Sequence, residues 1–263
     1  MRTVLITAAT GTVGRRLVPQ LAQQGATVRI HDRSRPIEPQ LSGIDAVFLA
    51  CPNLPEQVAY ECGVIDAAAR AGVRRLVKLS ARGAASNSSV AFWDWHARIE
   101  QHLAGSGVPA VVLRPGFSMA NLLGSLELVR TAGILPLPAG EARVAMIDPN
   151  DVATAATAAL DQDQALGTYE LTGPAAIGFD EVAAALSRSV GREVRYVDVP
   201  TEDAVAGMVA GGVPDFAAVQ IGNVFAALRD GAQAQVTDDL EWLTGRSGGG
   251  LGEFLRNELA RVA

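Results

Sequence analysis

The sequence predicts an α/β fold: a Rossmann-type, doubly wound parallel sheet with a smaller, interleaved C-terminal α+β substrate lobe. Three observations carry this reading. Short apolar runs of strand length alternate with helical segments through residue 160. The first strand enters a small-residue turn, AATGTVG, that opens a helix and is closed by a second strand, the βαβ context in which such a turn holds phosphate. A chain of 263 residues, 49% of them hydrophobic, can bury one large core and an added lobe. Residues 1–160 are assigned mainly to the dinucleotide-binding domain and 161–263 mainly to the lobe, to which 118–142 contribute.

Arg2 to Thr7 reads as the first strand, Ala8 to Gly14 as the turn, Arg15 to Gln24 as a helix and Thr27 to His31 as the second strand. Small side chains leave backbone N–H groups and the positive helix end open to a pyrophosphate. Gly11 and Gly14 keep two positions of a GxxGxxG pattern; Ala8 replaces the first glycine, which requires a negative φ or space for its Cβ. The candidate cradle comprises Thr7, Ala9, Thr10, Gly11, Thr12, Val13 and Gly14. At the end of the second strand Asp32 suits a ribose 2′-hydroxyl, whereas Arg33 and Arg35 suit a 2′-phosphate. The residues alone leave both open.

The twelve residues from Asp32 to Gly43 are too few for a full crossover helix, so a reduced connection is expected before the third strand, Asp45 to Ala50. Ala50, Cys51 and Pro52 mark the carboxyl end of that strand, where open α/β sheets bind ligands. A helix follows from Glu56 to Ala71, with Val58, Cys62, Ile65 and Ala69 spaced as one buried stripe. The fourth strand, Arg74 to Leu79, delivers Ser80 to the same edge.

Val90 to Ala104, VAFWDWHARIEQHLA, is the helix in which chemistry is expected. His96 stands four residues before Glu100, so imidazole and carboxylate can share a face, setting a tautomer or raising basicity. The alternative is an exposed i,i+4 pair above two packing tryptophans. His96 and Ser80 are the candidate proton donors. A fifth strand, Ala110 to Leu113, breaks at Arg114, Pro115, Gly116, Phe117 and Ser118, a shape suited to the nicotinamide end of a dinucleotide. Trp93, Trp95, Phe117 and Met119 offer apolar walls, with Asn121 beside them.

Beyond, Met119 to Gly140 reads as a helix and then a Pro/Gly loop, Arg143 to Ile147 as a strand, and Pro149 to Leu160 as a helix capped near Asp148 or Asn150. Thr168 to Leu171 and Glu193 to Val197 read as strands around a helix from Phe179 to Val190. Residues 201–234 are helical with breaks at Gly211-Gly212 and Pro214, and Leu251 to Val262 forms a final amphipathic helix.

A net charge of −6 and a pI near 5.1 offer no basic face for nucleic acid. The chain enters a strand without a signal-like segment and holds no membrane-length apolar run, so a cytoplasmic location without a membrane partner is expected. Cys51 and Cys62 lack CxxC spacing, and three scattered histidines form no metal motif; no metal is expected. The tyrosine-x-x-x-lysine pair of short-chain dehydrogenases is absent: the only lysine is Lys78, the residue four before it is Arg74, and the tyrosines are Tyr60, Tyr169 and Tyr196. Any hydride transfer must therefore use another proton donor.

With those residues laid out, the chain resembles the NmrA-like family of atypical short-chain dehydrogenase/reductase proteins. VLITAATGTVGRRL is similar to the family's nucleotide turn, GIDAVFLACP to its third strand, VIDAAARAGVRRLVKLSARGA to its following helix and strand, and VVLRPGFSMANLL to its active-site entry. YELTGPAAIGFDEVAAALSRSVGREVRYVDVP and LTGR extend the likeness into the lobe. The pattern from His96 to Glu100 resembles that of members that reduce quinones or triphenylmethane dyes. Departures are Ala8, Asp32 before Arg33, and SGGG after LTGR; no lysine stands near Phe92, so the isoflavone-reductase mechanism does not carry over.

The resemblance implies NADP(H) in preference to NAD(H) and a small-molecule substrate; the oligomeric state is left open, with a homodimer as one candidate. It also implies either reductase activity or dinucleotide sensing without turnover. Alanine- and arginine-rich composition with one lysine suggests a high-G+C bacterium, where such proteins act in small-molecule tailoring. The expected function is an NAD(P)H-dependent oxidoreductase reducing an apolar, aromatic or quinone-like molecule; the alternatives are a sensor or a non-redox cyclase or dehydratase using His96 or Asp94.

Overall fold

The computed structural model describes residues 2–162 and 165–260. The first half runs β1 (Thr3–Ile6), α1 (Gly14–Gln23), β2 (Thr27–Ile30), α2 (Ile37–Gln40), β3 (Ala46–Leu49), α3 (Gln57–Arg70), β4 (Arg75–Leu79), α4 (Ala91–Gly105) and β5 (Ala110–Pro115). The reduced connection after β2 is the single turn α2. The chain then makes a 3₁₀ segment (Met119–Ser125), α5 (Leu126–Ala132), β6 (Ile134–Leu137), β7 (Arg143–Val144), α6 (Pro149–Asp161), β8 (Gly167–Leu171) and β9 (Ile177–Gly178). It closes with α7 (Phe179–Val190), β10 (Arg195–Asp198), α8 (Thr201–Ala210), α9 (Asp215–Arg229), α10 (Asp239–Thr244) and α11 (Leu251–Leu259). The sequence-predicted last helix extends to Val262, which lies outside the described residues.

One six-stranded sheet, all parallel, has the order β2-β1-β3-β4-β5-β8. Strand order reverses between β1 and β3, the switch point at which such sheets open a crevice for ligands. The register pairs Ile6 with Phe48, Leu49 with Lys78 and Leu79 with Leu113. Thr7, Ala50, Ser80 and Pro115 are thereby delivered to one edge.

Alternate residues of the strands feed two cores, because successive side chains of a strand point to opposite faces. Val4, Ile6, Phe48 and Val77 pack against α1, α6 and α10 through Leu17, Leu21, Val152, Ala156 and Leu243. Leu5, Val47, Leu49 and Leu76 pack against α3 and α4 through Val64, Ile65, Ala68, Ile99 and Leu103. A third core, built from Phe117, Met119, Leu135, Phe179, Leu186, Phe225 and Phe254, belongs to the lobe.

The structure departs from expectation in three places. Ile134–Leu137, expected as Pro/Gly loop, is a strand because β10 lies parallel to it and pairs Pro136 with Val197. With only two strands, the missing N–H of Pro136 faces the free side. Residues 119–125 wind as a 3₁₀ turn started by Ser118, whose Oγ accepts from Ala120 N at 3.2 Å. The buried stripe of α3 is Gln57, Glu61, Val64, Ile65 and Ala68; Val58 and Cys62 are half-buried and Ala69 is exposed. Two polar side chains thus sit where an apolar stripe was expected, and what they meet inside explains them.

Candidate active site

The turn after β1 is built for close approach. A Cβ on Gly14 would lie 2.0 Å from the Ala8 carbonyl oxygen, so only glycine lets α1 start there. Ala8 keeps a negative φ: Asn87 is the only non-glycine with positive φ among the described residues. Gly11 N donates to Ala8 O at 3.1 Å, closing the turn. Val13 occupies the N-cap of α1 and gives no side-chain bond; Arg15 N and Arg16 N are taken by Gly11 O and Val13 O at 3.0 Å, so of the first turn Gly14 N is the donor left for an anion. Thr7 Oγ1 donates to Ala50 O at 2.7 Å and accepts from Ala50 N at 2.9 Å, clamping the ends of β1 and β3. Behind the turn, buried Arg16 donates to Thr12 O at 2.7 Å and to the carboxylate of Glu258 on α11.

At the end of β2 the two candidate charges have different fates. Asp32 is committed to its own loop: Oδ1 accepts from Ser34 Oγ at 2.6 Å and Ser34 N at 3.0 Å, and Oδ2 pairs with Arg35 at 3.3 Å. The Ser34 hydroxyl above all holds its carboxyl below the usual range. Arg33 instead lies over the Tyr60 ring, 4.2 Å from its centroid, with Nη2 3.8 Å from Cys51 Sγ. Among the described residues it pairs with no carboxylate. Burial, opposed by Arg33, pushes the Tyr60 hydroxyl up to about 12. Pro52 is exposed on the same rim.

The chain's one lysine sits in the middle of this edge, fully buried. Lys78 Nζ lies 2.7 Å from Glu61 Oε2, both side chains 0% exposed, and 3.2 Å from His96 Nδ1; it donates to Leu79 O at 2.5 Å. Gln57 Nε2 donates to Glu61 Oε1 at 3.0 Å, while Gln57 Oε1 finds no donor among the described residues. These are the two polar residues of the α3 stripe. Burial first, and then the Lys78 charge, drive His96 well below its ordinary value of 6.5, so the imidazole is neutral. Sequence reasoning missed Lys78, Glu61 and Gln57; the available signal was a lone lysine inside an apolar strand.

His96 and Glu100 do not meet as a pair, contrary to the sequence expectation. The α4 helix turns His96 toward β4, and Glu100 is claimed by stronger donors: Ser80 Oγ, and Arg114 through Nε at 3.0 Å and Nη2 at 2.5 Å. A bidentate guanidinium outcompetes a neutral imidazole for a carboxylate. Arg82 Nε binds Glu170 at 3.0 Å, continuing the polar rim along β8. Ser80 is thus a donor to Glu100, and buried His96, bonded through Nδ1 to Lys78, has no acceptor on Nε2 among the described residues.

The expected apolar walls divide. Trp93 is packed against Gly83, where a Cβ would approach its ring to 2.7 Å at a φ of +100°, so it floors the loop after β4. Phe117 and Met119 are buried in the lobe core, Phe117 edge-on to Phe179 and Phe225. Asn121 is exposed. Half-buried Trp95 stacks at 5.6 Å on Phe216 of α9, an exposed aromatic that sequence reasoning did not single out. Gln233 staples the break after β5: Phe117 N donates to its Oε1 at 2.6 Å and its Nε2 donates to Arg82 O at 3.1 Å.

The comparisons with known proteins agree with this geometry. Residues 31–251 match the model of the NmrA-like family. The NAD(P)H azoreductase of Xenophilus azovorans is 33% identical over 98% of each chain. A (4-alkanoyl-5-oxo-2,5-dihydrofuran-3-yl)methyl phosphate reductase of Streptomyces griseus is 36% identical, covering 92% of this chain and 93% of that one. The solved structure of an NADPH-dependent quinone oxidoreductase of Escherichia coli in complex with NADPH superposes with a TM-score of 0.84 at 26% identity, over 97% of this chain and 99% of the other. No helix among the described residues is long and apolar enough to cross a membrane.

Proposed function

The chain belongs to the NmrA-like family, and from that premise we propose that it is an NAD(P)H-dependent oxidoreductase reducing an apolar, aromatic or quinone-like acceptor, with NADPH preferred over NADH. The carrying observation is the pairing, at one sheet edge, of an uncapped glycine turn with a buried neutral histidine whose Nε2 is free. The names of its relatives, an azoreductase and a quinone oxidoreductase among them, support the acceptor class.

The residues fit the dinucleotide. Bound NAD(P)H supplies a hydride; the rest is the work of the chain. The α1 N-terminus and Gly11 hold the pyrophosphate, and Ala50, Cys51 and Pro52 border the crevice at the switch point. Arg33 supplies the cation for a 2′-phosphate, because it pairs with no carboxylate among the described residues, whereas Asp32 is engaged by Ser34 and Arg35 of its own loop. The Pro115–Phe117 break, stapled by Gln233, receives the nicotinamide end, and the Trp95–Phe216 pair presents an aromatic surface to a flat acceptor. His96 offers Nε2–H to the atom that gains negative charge during reduction. NADPH absorbance followed across quinones, azo dyes and polyaromatic ketones tests the proposal. Consumption with at least one class is expected; tight NADPH binding with no consumption in any would overturn it.

A further inference from the structure

A neutral histidine is a poor acid, and Lys78 addresses that difficulty. Every other basic position, histidine aside, holds arginine. Lys78 Nζ donates to Leu79 O at 2.5 Å, lies 3.2 Å from His96 Nδ1, and pairs electrostatically with Glu61 Oε2 at 2.7 Å, an oxygen that receives no well-aligned hydrogen bond among the described residues. A planar guanidinium could not diverge to these three points. An ammonium donates and never accepts, so Nδ1 must present its lone pair and the imidazole proton must be on Nε2. The Lys78 ammonium therefore fixes the tautomer.

Resting on the reductase reading, we propose that Lys78, His96 and Glu61 form a buried proton relay that protonates the reduced acceptor. The Nε2–H bond breaks as the new O–H or N–H bond of the product forms. At the same time an Nζ–H bond of Lys78 breaks and an Nδ1–H bond forms, so the imidazole ends neutral in the opposite tautomer and the ammonium becomes an amine. No electrons change hands in the relay. After product departure a proton from water returns to Nε2 and the Nδ1 proton returns to Nζ. Glu61, held by Gln57 at 3.0 Å, lies 2.7 Å from Nζ and draws that proton back. Lys78 and Glu61 are positioning and proton-supplying residues; neither touches the acceptor.

The first test reads the protein without cofactor. Histidine ¹⁵N spectra, with the His96 signals identified by their loss in His96→Gln, are expected to show a pyrrole-like Nε2 and a pyridine-like Nδ1. In Lys78→Met/Glu61→Gln, which leaves no buried net charge and so preserves folding, His96 is expected to lose this single tautomer and average between the two. The second test is kinetic: the same double variant is expected to lose about 10²-fold or more in turnover, the scale of a general acid, with KM for NADPH unchanged. An Nδ1–H tautomer or an imidazolium in the wild type overturns the relay, as does undiminished turnover by the double variant. A wild type that binds NADPH but consumes it with none of the acceptors overturns the reductase reading instead, and the spectra tell the two failures apart.

Discussion

Two ion pairs at the same sheet edge are made of similar groups and live in opposite environments. Asp32 and Arg35 are 49% and 77% exposed in their side chains, 3.3 Å apart; Glu61 and Lys78 are both 0% exposed, 2.7 Å apart. In water the first pair gains little from its Coulomb attraction and can open without penalty. Inside the protein the second pair cannot open, because either partner alone would be a desolvated charge. The exposed loop is thus free to adapt to a ligand, whereas the buried pair holds one imidazole in one tautomer.

The largest effect separating the two regions is expected from Lys78→Met alone, which strands the Glu61 carboxylate and should cost roughly 3–5 kcal/mol in urea unfolding. Adding Glu61→Gln should restore much of that loss; failure to do so would mean that the lysine stem, not its charge, matters. Next comes Arg33→Ala, expected to weaken NADPH binding about ten- to hundredfold, equivalent to ~1.5–3 kcal/mol for a charge-assisted bond, and to leave NADH binding unchanged by titration calorimetry. Equal losses for both cofactors would assign Arg33 to adenine stacking. The smallest effect belongs to Asp32→Asn. Because Ser34 and Arg35 hold this carboxyl below its ordinary 3.8, its contribution to stability is present above that value and lost as pH falls below it. The variant should melt slightly below wild type at pH 7, converge with it in acid, and lack this part of the acid-side decline in Tm.

The same contrast explains what could be read from sequence. The βαβ unit, the reduced connection at 32–43 and the helix cap at Asp148, whose Oδ1 accepts from Asn150 N at 2.7 Å, depend on local spacing and were legible. The stripe of α3 was not. Periodicity treats Gln57 and Glu61 as solvent-facing because carboxylates and amides usually are, and only the tertiary approach of β4 supplies the buried ammonium that makes them inward residues. His96 and Glu100 failed as a pair for a related reason: spacing establishes that two side chains can share a face, but Arg114, fourteen residues away, was the better partner for Glu100. The strand Ile134–Leu137 needed β10, some sixty residues later in the chain, to exist at all.

The bond from Arg16 to Glu258 spans 242 residues. On the ribosome, the turn after β1 emerges long before the carboxylate that anchors its supporting arginine, 242 residues further along. Every strand of the main sheet has been synthesised by residue 171, yet Arg16 remains without this counter-charge until α11 docks. The turn after β1 is therefore braced only once α11 has docked, and a nascent chain arrested before Glu258 would carry that turn with its supporting arginine unanchored.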